Sequence, residues 1–194
     1  LIALVIDKVK STESLLLQKN TLFNKISQRV PGVIYQFRLY PDGKSSFPYA
    51  SEAMQEIYEI SPQQAKEDAA IAFSNIHHED YDGVIASIQE SARNLSLWQY
   101  EFRVTLPKQG VRWRLGESQP EKMADGSILW HGFITDITER KNSDDRINRL
   151  SMLYKALSEI NQAIVRMEQQ PELFPLVCRC AVEFGGMKIA WVGQ

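Results

Sequence analysis

The chain has 194 residues, which is enough for one domain of medium size with additional segments at its ends. Its content of 44% hydrophobic and 24% charged residues is ordinary for a folded protein and excludes a disordered or fibrous one. The formal net charge of −2 gives no basic excess, so we expect no nucleic acid partner.

The N-terminal segment carries two apolar patterns. Leu1–Ile6 is an apolar run, much shorter than the roughly 20 residues that a membrane-spanning helix needs. The lysines that follow leave two interpretations open: the first turns of an amphipathic helix, or the last turns of a membrane anchor. Residues 11–30 then repeat apolar residues every three or four positions up to Pro31. We therefore expect an amphipathic helix within residues 1–30.

The ends and the cysteines bear on the origin of the chain. The sequence begins with Leu1 instead of Met and ends abruptly at Gln194, so we expect a piece of a longer protein. Cys178 and Cys180 are too few for a disulfide framework or a four-ligand zinc site, which fits a reducing compartment. We expect a cytoplasmic location, with attachment to the inner face of the cell membrane through an upstream anchor as the open alternative.

Alternating apolar and polar residues predict five β-strands. The first two, at 33–39 and 47–50, form a hairpin because Pro41-Asp42-Gly43 is a turn signal. The last three form an antiparallel meander and cover residues 98–104, 111–115 and 128–135. The loop between the third and fourth strands is predicted at 107–110.

Helical patterns fill the sequence between the hairpin and the meander. Ser51 is the predicted N-cap of a short helix around Ile57. Ser61-Pro62 places a capping residue and a first-turn proline at the start of the next helix. Residues 64–75 are helical or looped, and a longer helix is predicted at 79–93. Strands at both ends with helices between them favour an α+β fold, an antiparallel sheet covered on one face.

The last strand is followed directly by a helical pattern. Asp136 is the predicted N-cap of this helix, because its carboxylate can accept the free amide protons of the first turn. Glu139 completes a capping-box-like pair. A capped helix that leaves a strand without a linker is a rigid connection. We therefore expect Asp136, Thr138 and Glu139 to relay a change in the sheet to the helix.

Three segments of the chain carry a family resemblance. Pro48–Ala53, Ile76–Asp80 and Asp136–Lys141, with Gly110-Val111-Arg112-Trp113 between the last two, resemble in this order a PAS domain with its PAC motif, found in bacterial sensory proteins. His78 stands where the family usually has proline. The resemblance covers residues 31–141. It implies a PAS fold with a five-stranded antiparallel sheet, helices on one face, and flanking amphipathic or coiled-coil helices.

The resemblance also implies a cavity between the sheet and the helices at 51–93. Cavities of this kind are mostly apolar with a few fixed polar groups. The candidate lining residues are Tyr35, Phe37, Tyr58, Phe73, Trp130 and Ile134. Packing of a covered sheet is the alternative explanation for these aromatic residues.

The alternation of residues along the strands predicts which face of the sheet carries three arginines. Arg103, Arg112 and Arg114 are predicted to share the polar face of two neighbouring strands with Glu101. The preferred interpretation is a solvated face with cross-strand ion pairs. The alternative directs the arginines into the cavity, where Arg114 would bind a small anion such as a carboxylate. Arg114 is therefore included among the candidate ligand-binding residues.

The sequence gives little support for a metal or a covalent cofactor. His77-His78-Glu79-Asp80 is predicted to form a corner and a helix start, because adjacent residues do not easily converge on one ion. Haem is disfavoured because His131 lies on the opposite strand face from Trp130 and Ile134. Residues 31–141 contain no cysteine, which excludes a cysteinyl-flavin adduct and leaves non-covalent flavin open. The cofactor stays unidentified, and no metal ligand is assigned.

The segment after the PAS-like region shows a heptad pattern over residues 142–168. Its apolar positions alternate in steps of three and four and are Leu150, Leu153, Leu157, Ile160, Ile164 and Met167. We expect a signalling helix that forms a parallel homodimer, with packing onto the chain's own domain as the alternative. Residues 169–194 resemble the opening helix and first strand of a GAF domain.

The predicted function is signal sensing without catalysis. No catalytic arrangement of residues is present, so we expect this fragment to be non-catalytic. The PAS-then-GAF order resembles proteins that make or hydrolyse cyclic di-GMP, and we expect a small-molecule or partner signal to pass to such an output domain. The alternatives are the PAS module of a sensor histidine kinase and a ligand-free domain that only sets dimer geometry.

Overall fold

A computed structural model describes residues 31–166, together with Cys178, Arg179, Val182 and Lys188. The side chains at 163–166 are outside this description. Contacts divide the chain into two units, one ending at Thr138 and the other beginning at Glu139. The predicted helix at 11–30 and the GAF-like opening at 169–194 lie outside the described residues, apart from the four positions just named. The seam positions Ile164 and Met167 have no described side chain either.

Five strands form one antiparallel sheet with the order β2-β1-β5-β4-β3. They are β1 (Val33–Leu39), β2 (Ser45–Ala50), β3 (Trp98–Leu106), β4 (Gly110–Lys122) and β5 (Ile128–Asp136). The α+β fold with a five-stranded antiparallel sheet is thereby confirmed. The fourth strand runs past its predicted end at residue 115. It can do so because it pairs with β3 over Gly110–Ser118 and with β5 over Arg114–Lys122.

The hairpin between β3 and β4 differs from its prediction by one residue. Leu106 pairs with Gly110, so the loop covers residues 107–109 and Gly110 adopts a positive φ of 69°. Because side chains alternate between the two faces of a sheet, a shift of one residue changes which residues share a face. Arg103 consequently pairs with Trp113, and Arg114 pairs with Phe102 on the opposite face. The prediction that Arg103 and Arg114 share one face is therefore wrong.

Five helices lie within the described residues. The first four are α1 (Met54–Tyr58), α2 (Pro62–Glu67), α3 (Ala70–Ser74) and α4 (Tyr81–Asn94), and they cover one face of the sheet. The fifth, α5, spans Thr138–Arg166 and begins two residues after β5 ends. No helix among the described residues is long and apolar enough to cross a bilayer.

One of the two predicted serine caps near α1 and α2 is confirmed. Ser61 accepts the amide proton of Gln64, and the Gln64 side chain accepts the amide proton of Ser61, so α2 starts with a capping box. Ser51 does not cap α1, whose N-cap is Ala53. The Ser51 hydroxyl instead accepts the amide proton of Ile34 at 3.1 Å and fixes the end of β2 against β1.

The core lies between the sheet and the four helices. Its fully buried members include Val33, Met54, Val84, Val104 and Trp130. Every large apolar residue on the inner face of β1 and β5 contributes to it, as the strand period requires. The core is therefore a single cluster on one side of the sheet, and the opposite face holds residues such as His131 and Phe133 that stay exposed.

A charged cluster fixes the start of α4 to β3. Asp80 is the N-cap residue of α4, but its carboxylate makes no cap bond and accepts three hydrogen bonds from Arg103 instead, at 2.6–2.9 Å. Glu79 accepts another from the same guanidinium at 2.8 Å. The hydrogen bond from Arg103 holds the pKa of Asp80 below its ordinary value. The corner predicted at residues 77–80 is present. Its two acidic residues, Glu79 and Asp80, connect the start of α4 to β3 through Arg103.

The Asp80–Arg103 pair predicts how stability depends on pH. A carboxyl whose pKa is lower in the folded state favours folding above its unfolded pKa, and this contribution is lost as pH falls through the folded value. The Asp80→Asn variant should therefore melt at a lower temperature than wild type near pH 7. The difference should shrink below about pH 4, the ordinary range of an aspartate.

Thermal melts followed by circular dichroism from pH 7 down to pH 3 measure this effect. Asp82→Asn is the matched control, because Asp82 lies in the first turn of the same helix and is exposed. A difference between Asp80→Asn and wild type that stays constant across this range would contradict the assigned role.

Candidate functional site

An apolar cavity lies between the sheet and helices α1, α3 and α4. Its volume is about 40 Å³. The lining residues are Tyr35, Phe37, Phe47, Tyr58, Ala72, Phe73, Ile76, Val84, Ile88, Trp98, Phe102, Ser118, Trp130 and Ile134. In this conformation the cavity has room for a few water molecules, since one water needs about 10–15 Å³. A haem or a flavin ring would require the walls to move apart.

Six of the seven predicted ligand-binding residues line this cavity. They are Tyr35, Phe37, Tyr58, Phe73, Trp130 and Ile134, and only Arg114 does not. The cavity is also lined by Phe47, Trp98 and Phe102, which were not predicted although their strand phase could have indicated them. Ser118 had no signal in the sequence, because the fourth strand was predicted to end at residue 115.

An aromatic cluster forms one end of the cavity, with Phe37 at its centre. The Phe37 ring lies 5.2 Å from that of Phe47, 5.5 Å from that of Phe73 and 5.5 Å from that of Trp130, measured between ring centroids. The interplanar angles of 41–61° are those of tilted and edge-on pairs, which aromatic rings prefer to face-to-face stacking. The candidate aromatic residues therefore pack with one another and line the cavity at the same time.

Two tryptophans tie α4 to the sheet. The Trp98 indole N–H donates to the Ser87 hydroxyl at 2.9 Å, and the Trp130 indole N–H donates to the Ser91 hydroxyl at 3.0 Å. Ser87 and Ser91 are four residues apart, so both hydroxyls lie on one side of the helix. Each bond contributes about 1 kcal/mol to stability. The α4 wall of the cavity is thereby held at two points.

The inner face of β4 is built from small residues. Gly116 faces Trp98, and a Cβ added to Gly116 would lie 2.3 Å from the Trp98 ring, so only glycine leaves room for the indole. Ser118 is the next residue on this face. Small side chains in the middle of the sheet, beside large rings such as that of Trp98 on β3, leave space that the rings do not fill.

Three hydroxyl groups provide the polar part of the cavity. Burial raises the pKa of Tyr35 and of Tyr58 well above the ordinary value of a phenol, so both are neutral at physiological pH. A hydrogen-bonding effect of the Ser118 side chain opposes part of this rise in the pKa of Tyr35. Yet no group in the described part of the chain meets Ser118 Oγ at hydrogen-bonding geometry. A buried hydroxyl without a partner costs about 1–3 kcal/mol.

Arg114 is fully buried, with 0% of its surface exposed, so the predicted solvated face is wrong for this residue. Its Nη1 forms an ion pair with Asp136 at 2.5 Å. Its Nη2 and Nε donate to the main-chain oxygen of Ile57 at 2.7 and 3.2 Å. The partner of Arg114 is thus Asp136, not Glu101. Its charge is already compensated, and it does not line the cavity.

Asp136 and Thr138 join β5 to α5. Asp136 is the last residue of β5 and not the N-cap, but its carboxylate accepts the amide proton of Thr138 at 2.8 Å, as an N-terminal cap would. Partial burial would raise the pKa of Asp136, but the hydrogen bonds from Thr138 and the nearby Arg114 charge lower it overall. Thr138 Oγ1 accepts the amide proton of Trp113 at 2.9 Å. Glu139 lies in the first turn of α5.

No group of three or more histidine, cysteine, aspartate or glutamate side chains among the described residues could hold a metal ion. His77 and His78 stack on one another with ring centroids 4.4 Å apart. His131 is exposed and lies 3.3 Å from the Gln36 side chain. The predicted opposite placement of His131 and Trp130 on β5 is confirmed.

The chain is similar in sequence to one protein family and in fold to several solved structures. The family model described as PAS fold matches residues 47–134, somewhat less than half of the chain. No curated protein matches. Solved structures that resemble the chain include a sensory box histidine kinase/response regulator from Burkholderia thailandensis, with 21% identity, a TM-score of 0.46, and coverage of 61% of this chain and 86% of that one.

Two further solved structures have similar values. One is the N-terminal domain of a diguanylate cyclase with PAS/PAC sensor from Marinobacter aquaeolei, with 15% identity, a TM-score of 0.46, and coverage of 56% of this chain and 98% of that one. The other is a PAS domain from Colwellia psychrerythraea, with 16% identity, a TM-score of 0.46, and coverage of 64% and 98%. The family match and the sheet order together identify residues 47–134 as part of a PAS-fold domain.

Proposed function

We propose that residues 31–141 form a sensory module, in which occupancy of the cavity alters the connection between β5 and α5. The observation that carries the proposal is the position of Arg114. Its guanidinium binds the main-chain oxygen of Ile57, which precedes the cavity-lining Tyr58, and also the carboxylate of Asp136. One buried side chain therefore contacts the cavity wall and the strand end from which α5 follows.

A movement of α1 would act on this connection directly. A ligand that displaces Tyr58 also displaces the Ile57 oxygen, and Arg114 must then follow it or lose two hydrogen bonds. The Asp136 carboxylate also accepts a hydrogen bond from the Thr138 backbone N–H. In the Arg114–Asp136 pair, Asp136 is the residue partly exposed to solvent, with 35% of its side chain accessible. Asp136 is thus the end of the network that can rearrange. Coupling of this kind requires different ligand affinities in the two arrangements.

The output is proposed to be cyclic di-GMP synthesis or hydrolysis by a domain that follows in the intact protein. A sensor histidine kinase is the second candidate. The similar structures include one protein named for each activity, and they do not separate the two. The GAF-like segment at 169–194 is part of the proposal, and a membrane anchor upstream is its open alternative.

A ligand-free structural domain is the rival from another class. An unfilled cavity with a hydroxyl that lacks a partner favours sensing, because a domain that serves only as a scaffold gains stability by filling such a space. The two hypotheses differ in whether the purified protein retains a small molecule and in how its stability responds to a change in cavity volume.

The Ala72→Leu variant separates these two functions. Ala72 lines the cavity, so a larger side chain fills part of it. If the module senses a ligand, native mass spectrometry should find a small molecule on wild-type protein and much less on the variant. Ala86→Leu is the control, because it makes the same change on the exposed surface of α4. A variant whose free energy of unfolding is about 1 kcal/mol higher than that of wild type, with no ligand on either protein, would favour the structural domain.

We further propose that α5 forms a parallel homodimer. Leu150, Leu153 and Leu157 follow the heptad seam and are 44–53% exposed in the single chain. Exposed leucines at this spacing are the usual contacts of a two-helix coil. A dimer through α5 would place two copies of the output side by side.

The Leu153→Glu variant tests the dimer. A charge at a seam position should weaken association by about tenfold or more, because the carboxylate would be buried against the partner helix. Size-exclusion chromatography with light scattering measures the mass over a range of concentrations. Ser151→Glu is the control, since Ser151 is exposed on the same helix but off the seam. Equal masses for Leu153→Glu and wild type would exclude this seam.

The Arg114–Asp136 connection can be measured with a double-mutant cycle. Asp136→Asn should lower the free energy of unfolding by about 2–4 kcal/mol, because it leaves the buried guanidinium without its counter-charge. Arg114→Met with Asp136→Asn should cost less than the sum of the two single changes. Denaturant unfolding measures all four proteins, with Asp144→Asn on exposed α5 as the control. Additive losses would mean that the pair does not couple α1 to the strand end.

A further inference from the structure

The chemistry of the ligand can be inferred from one buried group. Ser118 is 3% exposed, it lines the cavity, and no described group satisfies its hydroxyl. The two residues paired with Ser118 in the sheet, Gly132 and Trp98, do not satisfy its hydroxyl, because the Trp98 indole N–H already donates to Ser87. Ser118 pairs with Gly132 on β5, which has no side chain, and a Cβ there would lie 2.3 Å from the Cβ of Ser118. An unmet hydroxyl that faces a cavity is a site for a ligand that brings one hydrogen-bonding group.

The remaining lining sets the charge of that ligand. Apart from three neutral hydroxyls, on Tyr35, Tyr58 and Ser118, the described lining side chains are apolar or tryptophan. Both indole N–H groups already donate to serines of α4. Arg114 is bound to Asp136 and lies outside the lining. A carboxylate or ammonium group would enter without a counter-charge, which is strongly unfavourable in an apolar site.

The shape of the ligand follows from a second space next to the cavity. A groove of about 830 Å³ is lined by Leu39, Tyr40, Tyr81 and Ile85, among others, and three side chains line both spaces: Phe37, Phe73 and Ile88. The groove lies towards the Leu39 end of β1, whereas Ser118 lies in the row of Tyr35. Four residues of strand separate these rows, or about 13 Å.

Of the three side chains shared by the cavity and the groove, Phe73 lies on the shortest secondary-structure element. It belongs to α3, a helix of five residues, whereas Ile88 belongs to the fourteen-residue α4 that both tryptophans hold. Rotation of the Phe73 ring would join the cavity of about 40 Å³ to the groove. The combined space is elongated, with its hydroxyls at one end.

We propose that this site takes an uncharged, elongated amphiphile. Its single hydrogen-bonding group meets Ser118, and its apolar chain runs past Phe73 into the groove. The proposal rests on the sensory function proposed above and specifies the class of molecule that the same cavity would sense.

Three probes of equal chain length test the class: 1-octanol, octanoate and octane. Each is titrated into the full chain at pH 7, below any concentration at which it aggregates, and followed by tryptophan fluorescence and by thermal shift. Trp98 and Trp130 line the cavity and should report its occupancy. We expect 1-octanol to bind most tightly and octanoate at least about tenfold more weakly, because its charge has no partner. Octanoate binding as tightly as 1-octanol would overturn the proposal.

The Ser118→Ala variant tests the polar end. Loss of one hydrogen bond should weaken 1-octanol binding by about fivefold and leave octane binding unchanged. An equal effect on both probes, or no effect on either, would contradict the role of Ser118. The comparison of probes on wild-type protein does not depend on how well this variant folds.

The Phe73→Ala variant tests the apolar end. Removal of the ring joins the two spaces, so the preference for 1-octanol over 1-butanol should increase relative to wild type. An unchanged preference would mean that the chain does not pass Phe73.

The class and the sensory function can fail separately. If purified protein retains a charged molecule in the cavity and none of the three probes binds, the sensory function stands and the uncharged class is wrong. If the protein retains no molecule and binds no probe, the sensory function fails together with the class.

Discussion

The interaction on which the other features depend is the buried ion pair between Arg114 and Asp136. A guanidinium that has left water must keep its counter-charge and its hydrogen bonds, because an isolated charge inside a protein is far more costly than a satisfied one. Arg114 meets this requirement with one carboxylate and the main-chain oxygen of Ile57. The positions of α1, β4 and the end of β5 are therefore constrained together. A change at any one of them has to be accommodated by the other two.

The cavity exists because the residues around it are of unequal size. Gly116 and Ser118 place little side chain on the inner face of β4, and the rings of Trp98 on β3 and Phe73 on α3 line the space without filling it. Two indole–serine hydrogen bonds and the Asp80–Arg103 cluster hold α4 in place over this space. The fold thus keeps an unfilled space and an unsatisfied hydroxyl, although closer packing would be more stable. Local departures from good packing of this kind are expected at functional sites.

Strand and helix positions could be predicted because they depend on local periodicity. All five strands were found, and Ser61 was recognised as a cap because Pro62 and Gln64 follow it at fixed offsets. The prediction that Ser51 caps α1 was wrong, because Ser51 binds Ile34 of a neighbouring strand. Asp80 occupies the N-cap position of α4, but its carboxylate binds Arg103 instead of the helix amides. In both cases the side chain forms its hydrogen bond with a residue distant in sequence, and a local pattern contains no information about such a partner.

The sequence by itself determined the order of the elements, the apolar face of each strand, and six residues around the cavity, since alternation along a strand is a local property. Only the tertiary structure determined the register between β3 and β4. A hairpin loop one residue shorter than predicted placed Arg114 inside the protein and Arg103 on the other face. The role of Arg114 depends on that register, because it sets which side chains of two strands lie next to each other, and a single strand's pattern does not specify its alignment with a neighbour.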